Sequence, residues 1–361
     1  MAGKVKTKFP QFINAKDYSF PEKLVLDLHD LATIVLRERL FSQTQFRYSQ
    51  LYEICNDSEK ATCLPSDAQA TWTSLPDPKV GYFLREPSEV AEDAPATEPY
   101  DFLHENFKGK DIPDEQSLET IFWRVKHHDS GFVLAHALQL VLDALPESTK
   151  LRICTSQGHR IECKARSSAV AEMNILPKMT SYICNIRARP DLGPNKVDID
   201  QHYTGGELNG IPWLYLIFGE KEDATGDVLT DRRVAVDLVA PMLGLRGLGN
   251  EVFAMEQIGV YHHKLLSKVA GESEEYVLSG RILMADEDKA RASADIATRV
   301  LARLQKITRG EEVYCAYCGR DEAESMCENC HGKARYCSPE CQKKGWRYHK
   351  VWCKGDAGTK T

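Results

Sequence analysis

Near its C-terminal end the chain reads Cys315-Ala316-Tyr317-Cys318, Cys327-Glu328-Asn329-Cys330, Tyr336-Cys337-Ser338-Pro339-Glu340-Cys341 and His349-Lys350-Val351-Trp352-Cys353. Seven of the twelve cysteines fall in this stretch, and the other five are scattered between Cys55 and Cys184. Each Cys-x2-Cys lets a tight knuckle set two thiolates on one metal. The pairs Cys337–Cys341 and His349–Cys353 are each one helical turn apart, on a shared face. Ser338 suits a helix cap and Pro339 the first helical position. Seven sulfurs and one imidazole divide into two tetrahedral sets with no open position, which is the chemistry of structural zinc. So short a segment cannot hold itself together by apolar burial alone. Metal binding should supply its folding free energy, of order 10–16 kcal/mol per site. The closely spaced ligand pairs favour zinc over redox-active cysteines or an iron–sulfur site.

Outward from this segment the chain changes character. It has 361 residues, 42% hydrophobic and 27% charged, enough apolar content for a sizeable core and against wholesale disorder. The most apolar run, Phe132 to Leu145, is broken by His136, Gln139 and Asp143, so no membrane span is expected. No apolar stretch follows the Lys-containing N-terminus, so no secretory signal is read. Together with a cysteine cluster suited to metal rather than disulfides, this predicts an intracellular setting, cytoplasmic or nuclear. The formal net charge of −7 argues against nucleic acid as the partner.

The periodicities predict an α+β body with helices flanking a strand-rich middle. Ser19 with Glu22 and Pro21 reads as a start signal for a helix over Leu24 to Leu40. Residues 1–85 are expected as the N-terminal helical part, and 86–116 as an acidic, proline-rich loop or linker. Residues 117–310 are expected as the main α+β body. Within it, Ser117 to Leu145 reads as two helices divided at Asp129-Ser130-Gly131. Leu151 to Thr155 and Arg160 to Lys164 read as a hairpin. Tyr182 to Arg187, Trp213 to Phe218 and Val234 to Val239 are further strands. Tyr261 to Ala270 looks helical, and Asp286 to Ile307 carries an apolar stripe at helical period.

Cys315 to Cys353, with Ala334-Arg335-Tyr336-Cys337, Cys341-Gln342, Trp346 and His349, resembles the MYND-type zinc finger ligand for ligand. The resemblance implies interleaved ligation, with Cys315, Cys318, Cys337 and Cys341 on one zinc and Cys327, Cys330, His349 and Cys353 on the other. Spacing alone does not decide this, because sequential pairing also gives one four-cysteine site and one three-cysteine, one-histidine site. The resemblance further implies binding of short proline-rich peptides through Gln342 and Trp346. An indole offers a flat platform to a preformed polyproline helix, and an amide can donate to its carbonyls. The alternative is that Trp346 only roofs a zinc site. Lys343, Lys344, Arg347, Lys350 and Lys354 form a basic strip, read as compensation for anionic thiolates rather than as a phosphate surface.

The body carries no comparable motif. It lacks Gly-x-Ser-x-Gly, a P-loop and His-Glu-x-x-His. A SET-type methyltransferase, often joined to such a finger, is disfavoured because no Asn-His-Ser-Cys-like element follows the cysteines. The adjacent pairs His127-His128 and His262-His263 read as surface or packing residues. Cys154, His159, Cys163 and Cys184 could meet at a third metal, but cysteine is also a common small core residue. Arg233 to Leu238, Gly244 to Gly249 and Tyr261 resemble the long N-terminal regions of fungal MYND proteins of unknown function. Asp237, an acid in an apolar strand, is expected to be satisfied by turn amides. The reading is an adaptor or regulatory protein with two structural zinc ions. Its rival is an enzyme of unknown reaction in the body whose finger recruits substrates. A pocket with convergent titratable groups would favour the rival, and an exposed surface beside Trp346 the adaptor.

Overall fold

The computed structural model describes residues 13–353, apart from 43, 58, 88–89, 91–94, 194–195, 207–209, 221–230, 283, 285, 322 and 331–333. Lys354 of the basic strip therefore lies outside the described residues. The architecture is α+β with a small C-terminal finger, as the sequence predicts.

Three helices form one layer. Helix α1 (Leu28–Ser42) packs on α4 (Gly131–Ala144) and α7 (Glu287–Arg309). The long α7 follows its sequence signals closely. Asp286 caps it by accepting from the amides of Asp288 and Lys289, and Gly310 ends it in the left-handed region. Its stripe of Ala294, Ala297, Val300, Leu301 and Leu304 is buried. Asp114 caps α3 (Glu115–Lys126), accepting from Ser117 N at 2.7 Å. Helix α2 (Ser66–Ser74) lies apart, over a second apolar cluster containing Trp72, Phe83 and Tyr182.

Among the described residues, strands form three sheets in the body. In the first, β1 (Val25–Asp27) pairs in parallel with β4 (Lys150–Cys154), which pairs with β5 (Arg160–Lys164). The second has the order β2-β3-β7-β8, from β2 (Gln50–Asn56), β3 (Lys79–Glu86), β7 (Thr180–Ala188) and β8 (Val197–Thr204). The third is antiparallel, in the order β11-β10-β9-β6-β12. It comprises β6 (Ala169–Pro177), β9 (Ile211–Phe218), β10 (Val234–Asp237), β11 (Ala254–Gln257) and β12 (Ala270–Ser279). Between β11 and β12 the chain is helical: α5 (Ile258–Val260), a π turn (Tyr261–Leu266) and α6 (Ser267–Val269).

Several local expectations change. The first helix starts at Leu28 rather than Leu24, because Val25 to Asp27 pair with Lys150 to Arg152 and the sheet claims them. The segment 1–85, read as helical, contributes two strands of a four-stranded sheet that also includes β7 and β8. Within 86–116 the described part is packed rather than free-running. Phe102 is fully buried, and its carbonyl accepts from Leu51 N at 2.7 Å. The main apolar cluster runs from Leu24 through α1, α3, α4, α7 and the third sheet, and it takes in Tyr348 of the finger.

Asp237 is fully buried and satisfied. It accepts from Val239 N at 2.9 Å, Tyr261 Oη at 2.8 Å and Trp213 Nε1 at 3.2 Å, so a turn amide does part of the work. His127 is buried and stacks on Trp123, and His262 bonds to Tyr215 Oη at 2.7 Å. Among the described residues, Cys154, His159, Cys163 and Cys184 form no ligand cluster. None of the described helices is long and apolar enough to cross a membrane.

Candidate metal centre

The first knuckle, Cys315 to Cys318, turns so that Gly319 N donates to Cys315 O at 2.9 Å and Cys315 N to Arg320 O at 2.8 Å. Strands β13 (Ser325–Met326) and β14 (Arg335–Tyr336) then pair across the second knuckle, with Cys327 N donating to Ala334 O at 3.0 Å. Helix α8 (Pro339–His349) follows. Its cap is Ser338, whose side chain accepts from Cys341 N at 3.1 Å, with proline in the first turn as expected. Gly345 is required where α8 crosses β14, since a Cβ there would stand 2.8 Å from the Tyr336 ring. Past the helix, Cys353 N donates to His349 O at 2.9 Å and brings the last thiol back.

These elements gather the ligands into two sets. Cys315, Cys318, Cys337 and Cys341 form one, and Cys327, Cys330, His349 and Cys353 the other, with ligand atoms in each set lying within 4.8 Å of one another. The grouping is interleaved: β14 and α8 carry the later ligands back over the two knuckles. Cys318–Cys337 and Cys337–Cys341 sulfurs are 3.6 and 3.5 Å apart, and Cys327–Cys353 3.7 Å. Four sulfurs at 2.3 Å around a tetrahedral zinc would stand about 3.8 Å apart. Cys330 Sγ lies 3.3 Å from His349 Nε2, again a separation one ion can bridge.

The thiols do not all shift one way: hydrogen bonding with Cys315 and Cys318 raises the pKa of Cys341, and burial raises that of Cys353. Hydrogen bonding, from Cys315 to Cys318 and from Cys318 to Cys337, lowers the pKa values of Cys318 and Cys337, the latter to about 7. Both thiols thus move toward the thiolate that binds metal. Burial lowers the pKa of His349, favouring the neutral imidazole that ligates. The donor sets fit two zinc ions whose chemical contribution is structural, joining knuckles, hairpin and helix, because four protein ligands leave no position for water or substrate.

Residues 315–353 match the model of the MYND finger family. This segment is a MYND finger. The match covers the finger alone, and no solved structure matches the chain. MYND fingers are generally protein-interaction domains.

The finger is docked tightly on the body, which its ligand pattern does not announce. Tyr348, one residue before His349, is 6% exposed and stacks on His29 of α1, with ring centroids 4.2 Å apart. Tyr314 Oη donates to Asp30 at 2.6 Å. Gly319 sits at φ +71°, and a Cβ there would lie 3.0 Å from the Thr33 carbonyl oxygen of α1. Arg303 of α7 is 6% exposed and ties the seam together. It bonds to Glu38 at 3.3 Å, Glu312 at 2.6 Å and Gly319 O at 2.9 Å, and also to Asp321.

The two proposed partner residues lie on α8. Trp346 is 39% exposed and Gln342, one turn earlier, is half-buried. The helix runs unbroken to His349, and the Trp346 ring lies 5.8 Å from the His349 ring. A surface built on Trp346 therefore abuts the second metal set. Lys343, Lys344, Arg347 and Lys350 are all exposed.

Proposed function

We propose that the protein is an adaptor whose finger presents α8 to an extended, proline-rich segment of a partner protein. The body supplies a rigid platform. We take residues 315–353 as the reading module and 1–310 as its support, with 1–85, 86–116 and 117–310 as successive parts of that support. The observation that carries the reading is the exposure of Trp346. On the same helix Gly345 and Tyr348 are buried, so α8 is held by one face and offers the other. Trp346, 39% exposed, and the half-buried amide of Gln342 one turn away offer a flat apolar face and a donor that a docked polyproline ridge could use. All twelve cysteines are free. This supports a reducing setting inside the cell, cytoplasm or nucleus, where thiolates stay available to metal.

The rival reading, an enzyme in the body, is favoured by one observation: a cavity at the seam between body and finger that is lined by Asp27, His29 and Asp30. Two of its three carboxylates are already engaged. Asp27 accepts both bonds of Arg152, at 2.6 and 2.8 Å, and Asp30 accepts from Tyr314. No nucleophile with an adjacent base emerges from that set, so the adaptor reading stands first.

The test is a titration of proline-rich peptides against wild type and zinc-loaded Trp346→Ala. If the indole is the hot spot, its removal should cost about 2 kcal/mol or more, roughly thirtyfold in affinity. Equal affinities would retire the groove and make Trp346 a roof of the second metal set.

A further inference from the structure

Helix α8 exposes one side of its circumference, and that side is not uniform. Successive residues turn by about 100°, so Cys341, Gly345 and Tyr348 share the packed side, where Gly345 and Tyr348 are buried. Gln342 and His349, both half-buried, then fall about 40–60° to one side of Trp346. Lys350 and Lys343, both exposed, fall about 40–60° to its other side. Lys350 caps the helix but keeps helical geometry, with φ −52° and ψ −31°. The exposed indole therefore sits between the second metal set and a cationic border.

The cations of the basic strip are not equivalent. Lys344 Nζ lies 5.8 Å from the centre of the Tyr317 ring. Arg347 reaches the body, its guanidinium 2.8 Å from where a Cβ on Gly249 would stand. Lys343 and Lys350 make no ion pair or side-chain hydrogen bond with any described residue. Glu340, the one acid of the helix, falls beyond them, beside Arg347 and Lys344. Compensation of the second metal set would call for cations on the His349 side of the indole, and these two lysines lie on the other. They are seven residues apart, about 10.5 Å along the axis, with Trp346 between them. A polyproline helix has three residues per turn and a rise of about 3.1 Å, so its positions i and i+3 share an edge about 9.3 Å apart. Same-side residues of a β-strand stand about 6.7 or 13 Å apart and match less well.

We propose that α8 selects a proline-rich segment carrying two carboxylates three residues apart, one turned to Lys343 and the other to Lys350. Proline between them lies on the indole. This selectivity rests on the seating of proline at Trp346 proposed above, and it specifies what flanks that proline. The net charge of −7 disfavours a nucleic acid as the source of the two negative charges.

The experiment is fluorescence anisotropy of labelled peptides with the zinc-loaded full chain. The main peptide has the core Pro-Glu-Pro-Pro-Glu-Pro. One comparison peptide replaces both glutamates by glutamine, and another sets them two residues apart. At low salt the main peptide should bind about tenfold tighter than the glutamine peptide, a gain that shrinks toward about 0.5 M salt. Lys343→Gln and Lys350→Gln should each lower that ratio about threefold. Lys344→Gln, the same charge change on the far side of the helix, should leave it unchanged. Trp346-dependent binding of the glutamine peptide with no gain from the glutamates would keep the groove and overturn this selectivity. Binding of the main peptide that Trp346→Ala does not weaken would show a purely ionic contact and overturn both, as would absence of binding by every peptide. Equal affinity at spacings of two and three, an equal loss from Lys344→Gln, or displacement by single-stranded oligouridylate as readily as by unlabelled peptide would also overturn it.

Discussion

Replacing Arg303 with methionine tests whether the finger and the body form one energetic unit. Methionine keeps much of the length and apolar stem of arginine but removes every donor. Glu312 and Asp321, with side chains 22% and 65% exposed, can turn to water. Glu38 cannot, since its side chain is 11% exposed and its nearest cation is gone. At 3.3 Å and an effective dielectric near 20, the lost attraction is about 5 kcal/mol. Part of that is returned because Arg303 no longer has to be desolvated. Removing one partner of a buried pair generally costs about 3–5 kcal/mol, and the Gly319 carbonyl also loses its donor. A net loss of about 3 kcal/mol is expected, read from urea unfolding of the zinc-loaded chain by far-UV circular dichroism. The paired change Glu38→Gln with Arg303→Met removes the stranded charge and should recover about 1–2 kcal/mol of it. An Arg303→Met variant within 1 kcal/mol of wild type, or a double variant no better than the single, would refute the argument that this buried guanidinium locks the seam.

Three further outcomes follow, two from the metal sets and one from a buried acid. Elemental analysis should find two zinc ions per chain. Chelation should abolish the finger's fold and lower the body's unfolding midpoint, because Tyr348 leaves the main core, while most helical dichroism persists; loss of the whole helical signal would show that the body has no core of its own. Glu256, 1% exposed, has its pKa raised to about 7 by burial, despite a hydrogen bond from Ser156. In the unfolded chain it ionises near 4.5, so its contribution to stability is fully present below that value and is lost as pH rises through about 7. Glu256→Gln should therefore gain on wild type between pH 4.5 and 7 and reach a plateau above it, by about 1–3 kcal/mol. A difference in unfolding free energy that does not change between pH 5 and 8 would contradict this.

What was legible in the sequence had local causes. Eight soft ligands in close pairs identify their chemistry without a fold, the break at Asp129-Ser130-Gly131 and the stop at Pro146 mark off α3 and α4, and α7 carries an apolar stripe at helical period. The hairpin of β4 and β5 shows in a turn between two apolar-periodic runs. By contrast β2 and β3 are buried on both faces over much of their length, so they lack the alternation that marks a half-exposed strand. Strand β8, with Asp198, Asp200, Gln201 and His202, is a polar sheet edge that alternation rules read as loop. The start of α1 was misplaced because pairing of Val25 to Asp27 with β4 is a contact between segments more than a hundred residues apart.

The seam was illegible for a deeper reason. Its cavity draws on residues between 27 and 30, 152 and 162, and 316 and 352, and no short window of sequence contains more than one wall. Yet one adjacency in the chain couples the two regions. Tyr348 belongs to the main core and His349 to the second metal set, on consecutive positions of one helix. Side chains at successive helical positions point in different directions, about 100° apart, so α8 can seat its tyrosine on His29 while its histidine faces the metal. Ordering the ligand set therefore also fixes the core residue, and the rotation of α8 that satisfies both leaves Trp346 facing outward. On this geometry the exposure of Trp346 is a consequence of zinc binding and body packing acting together. A partner that reads Trp346 would then bind a surface that exists only when the finger is both metallated and docked.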